Sequence, residues 1–127
     1  MVDVPDEQRT AAAAALRAAG ARFGFVHGSR AGGRPRADSD LDVAAWWGEG
    51  APPAFEVEVP PGVDLLVLDD APLELAGRIA VQGELLFDDD SVARVRWVAT
   101  TRKIYFDELP RIERSRREFL ESVRRGR

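Results

Sequence analysis

Apolar and polar positions repeat with two different periods along this chain, and the changes of period mark its elements. Pro5 to Ala19 reads as a helix: Pro5 suits a first turn, Asp6 and Glu7 suit its positive end, the alanines have the highest propensity, and Gly20 closes it. In "RFGFVHG", Phe23, Phe25 and His27 alternate with smaller residues, a strand ending at Gly28. A Gly- and Arg-rich turn follows, with a short helix expected to start near Ser29. "SDLDVAAWW" is the second strand, with Leu41 and Val43 on one face and Asp40, Asp42 and Ala44 on the other. Loop chemistry covers "GEGAPPAFEVEVPPG", with a short edge piece at Phe55 to Val59. Val63 to Leu68, "VDLLVL", is apolar enough for the middle of a sheet.

Past Leu68 the helical period returns. Asp69 or Asp70 is expected to cap a helix that carries Pro72 just inside it and runs to Gly83. "ELLF" is a short strand or extended link, and Asp88-Asp89-Asp90 caps a helix through about Phe106. Leu109, Ile112, Phe119, Leu120 and Val123 form a stripe on a last helix, about residues 107–125, with Pro110 near its first turn. That stripe either completes the core or seats a partner.

Composition narrows the class. The 127 residues are 45% hydrophobic and 31% charged, which suits one globular domain over residues 1–127. A net charge of −4 argues against a duplex-DNA binder, and no direct nucleic-acid binding is expected. Seven arginines lie between Arg111 and Arg127, but five acidic residues from Asp107 onward dilute them into a charged helix face. The absence of cysteine excludes disulfides and thiolate metal sites and fits a reducing cytoplasm. "AAAAALRAA" follows acidic residues rather than a basic region, so no signal peptide and no membrane association are expected.

The chemistry concentrates in residues 27 to 42, "HGSRAGGRPRADSDLD". In a strand, residues two apart share a face with Cα atoms about 6.5–7 Å apart, so Asp40 and Asp42 project side by side. Such a pair repels and resists desolvation unless a cation intervenes; Mg²⁺ accepts one or two carboxylates and completes its octahedron with water and phosphate oxygens. A third carboxylate on a neighbouring strand would admit a second metal ion, and Asp64, a charge inside an apolar run, is the candidate. A turn leaving a strand through Gly28-Ser29 presents backbone N–H groups as an anion cradle, with Arg30, Arg34 or Arg36 to neutralise a triphosphate.

Gly28-Ser29, ten residues, then Asp40-Leu41-Asp42 resembles the signature of the DNA-polymerase-β-like nucleotidyltransferase superfamily. The flanking "GSRAGGRPRADSDLDVA", with "VDLLVLDDAP" and "GELLFDDD" downstream, is similar to its minimal nucleotidyltransferase (MNT) branch, over a core of about residues 20–106. The resemblance implies an α/β (α+β) fold, a small mixed sheet flanked by helices, holding two Mg²⁺ ions. It implies transfer of a nucleoside monophosphate from a nucleoside triphosphate to a hydroxyl. By motif position Asp40, Asp42 and Asp64 would be the catalytic and metal-holding residues, Asp64 also helping to activate the hydroxyl; Gly28, Ser29 and Arg30 would bind the nucleotide. Small members of the branch are antitoxins paired with a HEPN-domain RNase toxin, which they silence by adding AMP from ATP to a tyrosine. The expected partner is therefore a HEPN toxin, in a hetero-oligomer. Two departures stand out: His27 where many relatives carry an aromatic residue, and "AGG" at Ala31 to Gly33 where "ARG" is frequent.

Other readings compete. One is an antitoxin that masks its toxin by contact alone; three crowded acids argue against it, since a pure binder gains nothing from them. Another is transfer to a small molecule, for which the chain has no second domain to complete a pocket. Asp38, Asp40, Asp42 and Glu49 also fall at calcium-loop positions, but Val43 stands where that loop requires glycine. His27 reads better as a packed or nucleotide-lining residue than as a general base. Trp46, Trp47 and Trp97 read as core or partner-contact aromatics, and Tyr105 as a core or interface tyrosine, with self-modification there left open.

Overall fold

A computed structural model describes residues 4–28 and 40–126. Helix α1 (Val4–Ala18) leads into strand β1 (Phe23–His27), and β2 is Leu41–Trp46. A single-turn 3-10 helix at Ala54–Glu56 precedes β3 (Val63–Val67), and another at Leu68–Asp70 leads to α2 (Leu73–Gln82). The chain closes with β4 (Glu84–Asp88) and α3 (Ser91–Arg124). The four strands lie in the order β3-β2-β1-β4. β1 runs antiparallel to β2 and β4, while β2 and β3 are parallel, so the sheet is mixed as expected.

Alternation along the strands sends side chains into two separate cores. Leu41, Val43 and Ala45 of β2 join Val26 and Phe87 under α1, where Ala12 and Leu16 are fully buried. The small alanines let α1 lie close to the sheet. On the opposite face Phe23, Phe25 and Ala44 pack beneath Ile79 of α2, with Trp46, Leu66 and Trp97 of α3 against them. Phe23 and Trp46 stack with ring centroids 5.1 Å apart. α2 and α3 approach closely at Gly77, where a Cβ would collide with the Tyr105 ring.

Four expectations need correction. β3 is an edge strand, not a central one: its apolar character serves the two cores, while Asp64 is exposed. Phe55 to Val59 forms no strand; a 3-10 turn takes Ala54–Glu56 and leaves Phe55 86% exposed. Asp69 does not cap α2, whose N-cap is Pro72 without a side-chain bond. Its carboxylate instead accepts from the backbone N–H groups of Trp47 at 3.0 Å and Gly48 at 2.7 Å, holding the exit of β2. Finally, the last two expected helices are one, α3, of 34 residues with Pro110 inside it. Pro110 is exposed, so water can take the Phe106 carbonyl that its missing N–H leaves free. The Lys103–Asp107 and Arg111–Glu108 pairs lie on consecutive turns before and around Pro110, and Arg116 is tied to Glu74 of α2.

The acidic triplet behaves as expected at α3, where Asp90 accepts from the Ala93 N–H at 3.0 Å. No helix among the described residues is long and apolar enough to cross a membrane.

Candidate active site

The face that packs under α2 and α3 is apolar through most of its length and changes character at one end. His27 continues the parity of Phe23 and Phe25, Asp42 that of Ala44 and Trp46, and Asp64 that of Leu66. The register aligns them in one row across three strands: His27 opposite Asp42, and Asp42 beside Asp64. Side chains directly opposite on neighbouring strands stand about 4.5–5.5 Å apart at Cβ, so the row brings two carboxylates and an imidazole together. They line a cleft of about 290 Å³ with Leu65, Leu66 and Leu75.

Gly28 closes one side of the row. Its φ of 76° lies in the left-handed region, and a Cβ there would strike the Asp42 carboxylate. Only glycine lets the backbone pass so close to that side chain.

Burial lowers the His27 pKa from 6.5, outweighing the opposing pull of Asp42, a hydrogen bond with the Val43 backbone, and Asp64. The imidazole is therefore neutral at pH 7 and brings no cation to the carboxylates. Its Nε2 is buried with no hydrogen-bond partner among the described residues. Neither Asp42 nor Asp64 joins any of the ion pairs found among the described residues, which include Arg9–Glu84, Arg17–Asp89 and Arg94–Asp88. Two carboxylates with no ion-pair partner among the described residues, beside a neutral imidazole and with a glycine cradle behind one of them, suit a hard divalent cation.

Asp40 lies just ahead of β2 and is exposed. Among the described residues no three metal-capable side chains converge on one point. Asp42 and Asp64 thus offer two protein ligands, leaving the other positions of an octahedral ion to phosphate oxygens and water. Ser29 and Arg30 lie outside the described residues, as do Arg34, Arg36 and Asp38.

One part of the site was not read from the sequence. A second cavity, of about 510 Å³, adjoins the cleft and shares His27 and Leu75 with it, and α2 supplies its far wall. The i, i+3, i+4, i+7 spacing of Leu75, Arg78, Ile79 and Gln82 is visible in the sequence, but not that this helix face overhangs Gly28.

No family model and no curated protein sequence matches the chain. Solved structures do. A chain of a toxin–antitoxin structure with AMP-PNP superposes with a TM-score of 0.68 at 18% identity, over 91% of this chain and 97% of that one. A chain of the toxin–antitoxin MntA–HepT gives 0.63 at 16% identity, over 93% and 97%. The same values hold for a tri-AMPylated Shewanella oneidensis HEPN toxin in complex with MNT antitoxin. Built as a small mixed sheet between helices, with its acidic row at one end, the chain has the fold of the minimal nucleotidyltransferases.

Proposed function

We propose that this chain is the antitoxin of a HEPN/MNT pair, a cytoplasmic Mg²⁺-dependent nucleotidyltransferase that moves AMP from ATP to a tyrosine of its partner toxin. The observation that carries this reading is the pairing of Asp42 with Asp64 behind Gly28, on the fold of chains solved with AMP-PNP and beside an AMPylated HEPN toxin.

In this reading Gly28 and Ser29 cradle the triphosphate with backbone N–H groups, and Arg30 offsets its charge. Asp42 and Asp64, with Asp40 on the approach to β2, hold the metal ions. Bound Mg²⁺ would neutralise the phosphates and make the acceptor hydroxyl easier to deprotonate. The tyrosine oxygen attacks the α-phosphorus and a new P–O bond forms. The bond to the β-phosphate oxygen breaks and pyrophosphate leaves. The phenolic proton passes to Asp64, whose edge-strand position opens it to an acceptor on another protein. His27, neutral, lines the pocket without adding charge.

The test is the intact mass of a candidate HEPN partner incubated with this protein, Mg²⁺ and ATP, beside an Asp42→Asn control. A gain of one or more AMP masses that the control lacks is expected. A silenced partner in a stable complex, without any gain in mass, would replace this reading with neutralisation by contact.

A further inference from the structure

The cavity beside the acidic cleft has a chemistry of its own. Its floor is apolar, from Leu75 and Ile79, and Ile79 is anchored at 2% exposure in the core beneath α2. Its rim carries two polar groups one helical turn apart on α2, the Arg78 guanidinium and the Gln82 amide. Arg78 is held by Glu74 at 3.3 Å, whereas Gln82 has no hydrogen-bond partner among the described residues. A volume of about 510 Å³ falls inside the range of about 300–1,000 Å³ usual for small-molecule sites. An apolar floor with a guanidinium at its edge accepts an aromatic ring, and an amide beside it offers one donor and one acceptor side by side.

Position selects the ring. Across the sheet the order is Asp64 on the edge, Asp42, then His27, and the cavity lies beyond His27 on the β1 side. An acceptor on another protein reaches the row from the open edge at Asp64. The cavity is continuous with the acidic cleft through His27 and Leu75. A nucleotide with its α-phosphate at the carboxylates can lay its nucleoside end in this slot, on the side away from the acceptor.

We infer that the cavity between the end of β1 and α2 receives the purine base of the nucleoside triphosphate, and that Gln82 selects adenine by pairing with its hydrogen-bonding edge. This rests on the proposed nucleotidyl transfer and assigns its base specificity to one residue. An amide matches the adjacent donor and acceptor of adenine; a carboxylate, which only accepts, matches instead the two neighbouring N–H groups of guanine.

The experiment is calorimetric titration of the full chain with AMP-PNP and GMP-PNP in the presence of Mg²⁺, for wild type, Gln82→Glu and Gln82→Ala. Gln82 is exposed at the end of α2, so both variants should fold, which circular dichroism checks. Wild type is expected to prefer AMP-PNP. Gln82→Glu should shift the ratio of the two dissociation constants toward GMP-PNP by about tenfold or more, and Gln82→Ala should erode the preference. Unchanged ratios in both variants overturn the inference while wild-type binding of AMP-PNP leaves the transfer reading standing. Unchanged nucleotide binding with a raised requirement for the toxin partner also overturns it, by giving the cavity to the acceptor. Wild type that binds neither analogue overturns both readings.

Discussion

Gly28 and Asp42 occupy one another's space so closely that a single Cβ on Gly28 would meet the Asp42 carboxylate. Gly28→Ala therefore combines left-handed backbone strain at φ 76° with displacement of a site carboxylate. The strain should lower stability by about 1–3 kcal/mol, measured by denaturant unfolding. Nucleotide transfer should fall by far more than the loss of folded protein explains; transfer that merely tracks the folded fraction would mean that Asp42 tolerates displacement.

Asp42 and Asp64 sit side by side without a cation among the described residues. Asp42→Asn should relieve that repulsion, so the metal-free variant should melt no lower than wild type. Mg²⁺ should raise the melting temperature of wild type, because a ligand that binds only the folded state stabilises it, and should leave Asp42→Asn unmoved. Equal Mg²⁺ responses in the two proteins would remove the metal from this pair. Asp64→Asn should behave in the same way and abolish transfer.

Asp69 joins the end of β3 to the exit of β2 through the N–H groups of Trp47 and Gly48. Asp69→Ala leaves two backbone donors without their acceptor and should destabilise the chain by about 1–3 kcal/mol, read from the shift in urea midpoint at constant slope. Asp69→Asn keeps one acceptor oxygen and should recover part of that loss. A null effect would assign both donors to water.

Asp88 carries a pH dependence. Burial pushes its carboxyl up, but hydrogen bonds from Arg94 and Ser91 outweigh that and hold it below the ordinary 3.8. A carboxylate depressed on folding contributes stability above its unfolded pKa and loses it as pH falls through the folded value. Wild type should therefore exceed Asp88→Asn in stability at neutral pH, and the gap should close as the solution is acidified below about pH 4. Parallel stability curves down to pH 2 would exclude the Arg94–Asp88 contact as its source.

Much of this was legible in the chain itself because local chemistry speaks directly. Alternation identified β1 and β2 and placed Asp42 on the face of Ala44, and the triplet Asp88-Asp89-Asp90 announced the start of α3, where the structure gives the cap to Asp90. The Gly28–Asp42 spacing named the candidate site before any register was known. Other features depended on partners distant in sequence. "VDLLV" reads the same at the centre or the edge of a sheet, and only the strand order put β3, with Asp64, on the open side. Asp69 looks like a helix cap until Trp47 and Gly48, more than twenty residues earlier, present their N–H groups to it. Pro110 signals a break by propensity, yet surface exposure and the Arg116–Glu74 tie to α2 carry α3 through it.

The sequence alone determined which residues could do chemistry, because glycine, serine and aspartate at a fixed spacing form a pattern that is local in the chain. Only the tertiary structure decided which of them meet. Register across β1, β2 and β3 set His27, Asp42 and Asp64 in one row, and the packing of α2 on that face hung Arg78 and Gln82 over Gly28. Such pairings arise from burying two faces of one sheet at once, and no stretch of the chain contains that information by itself.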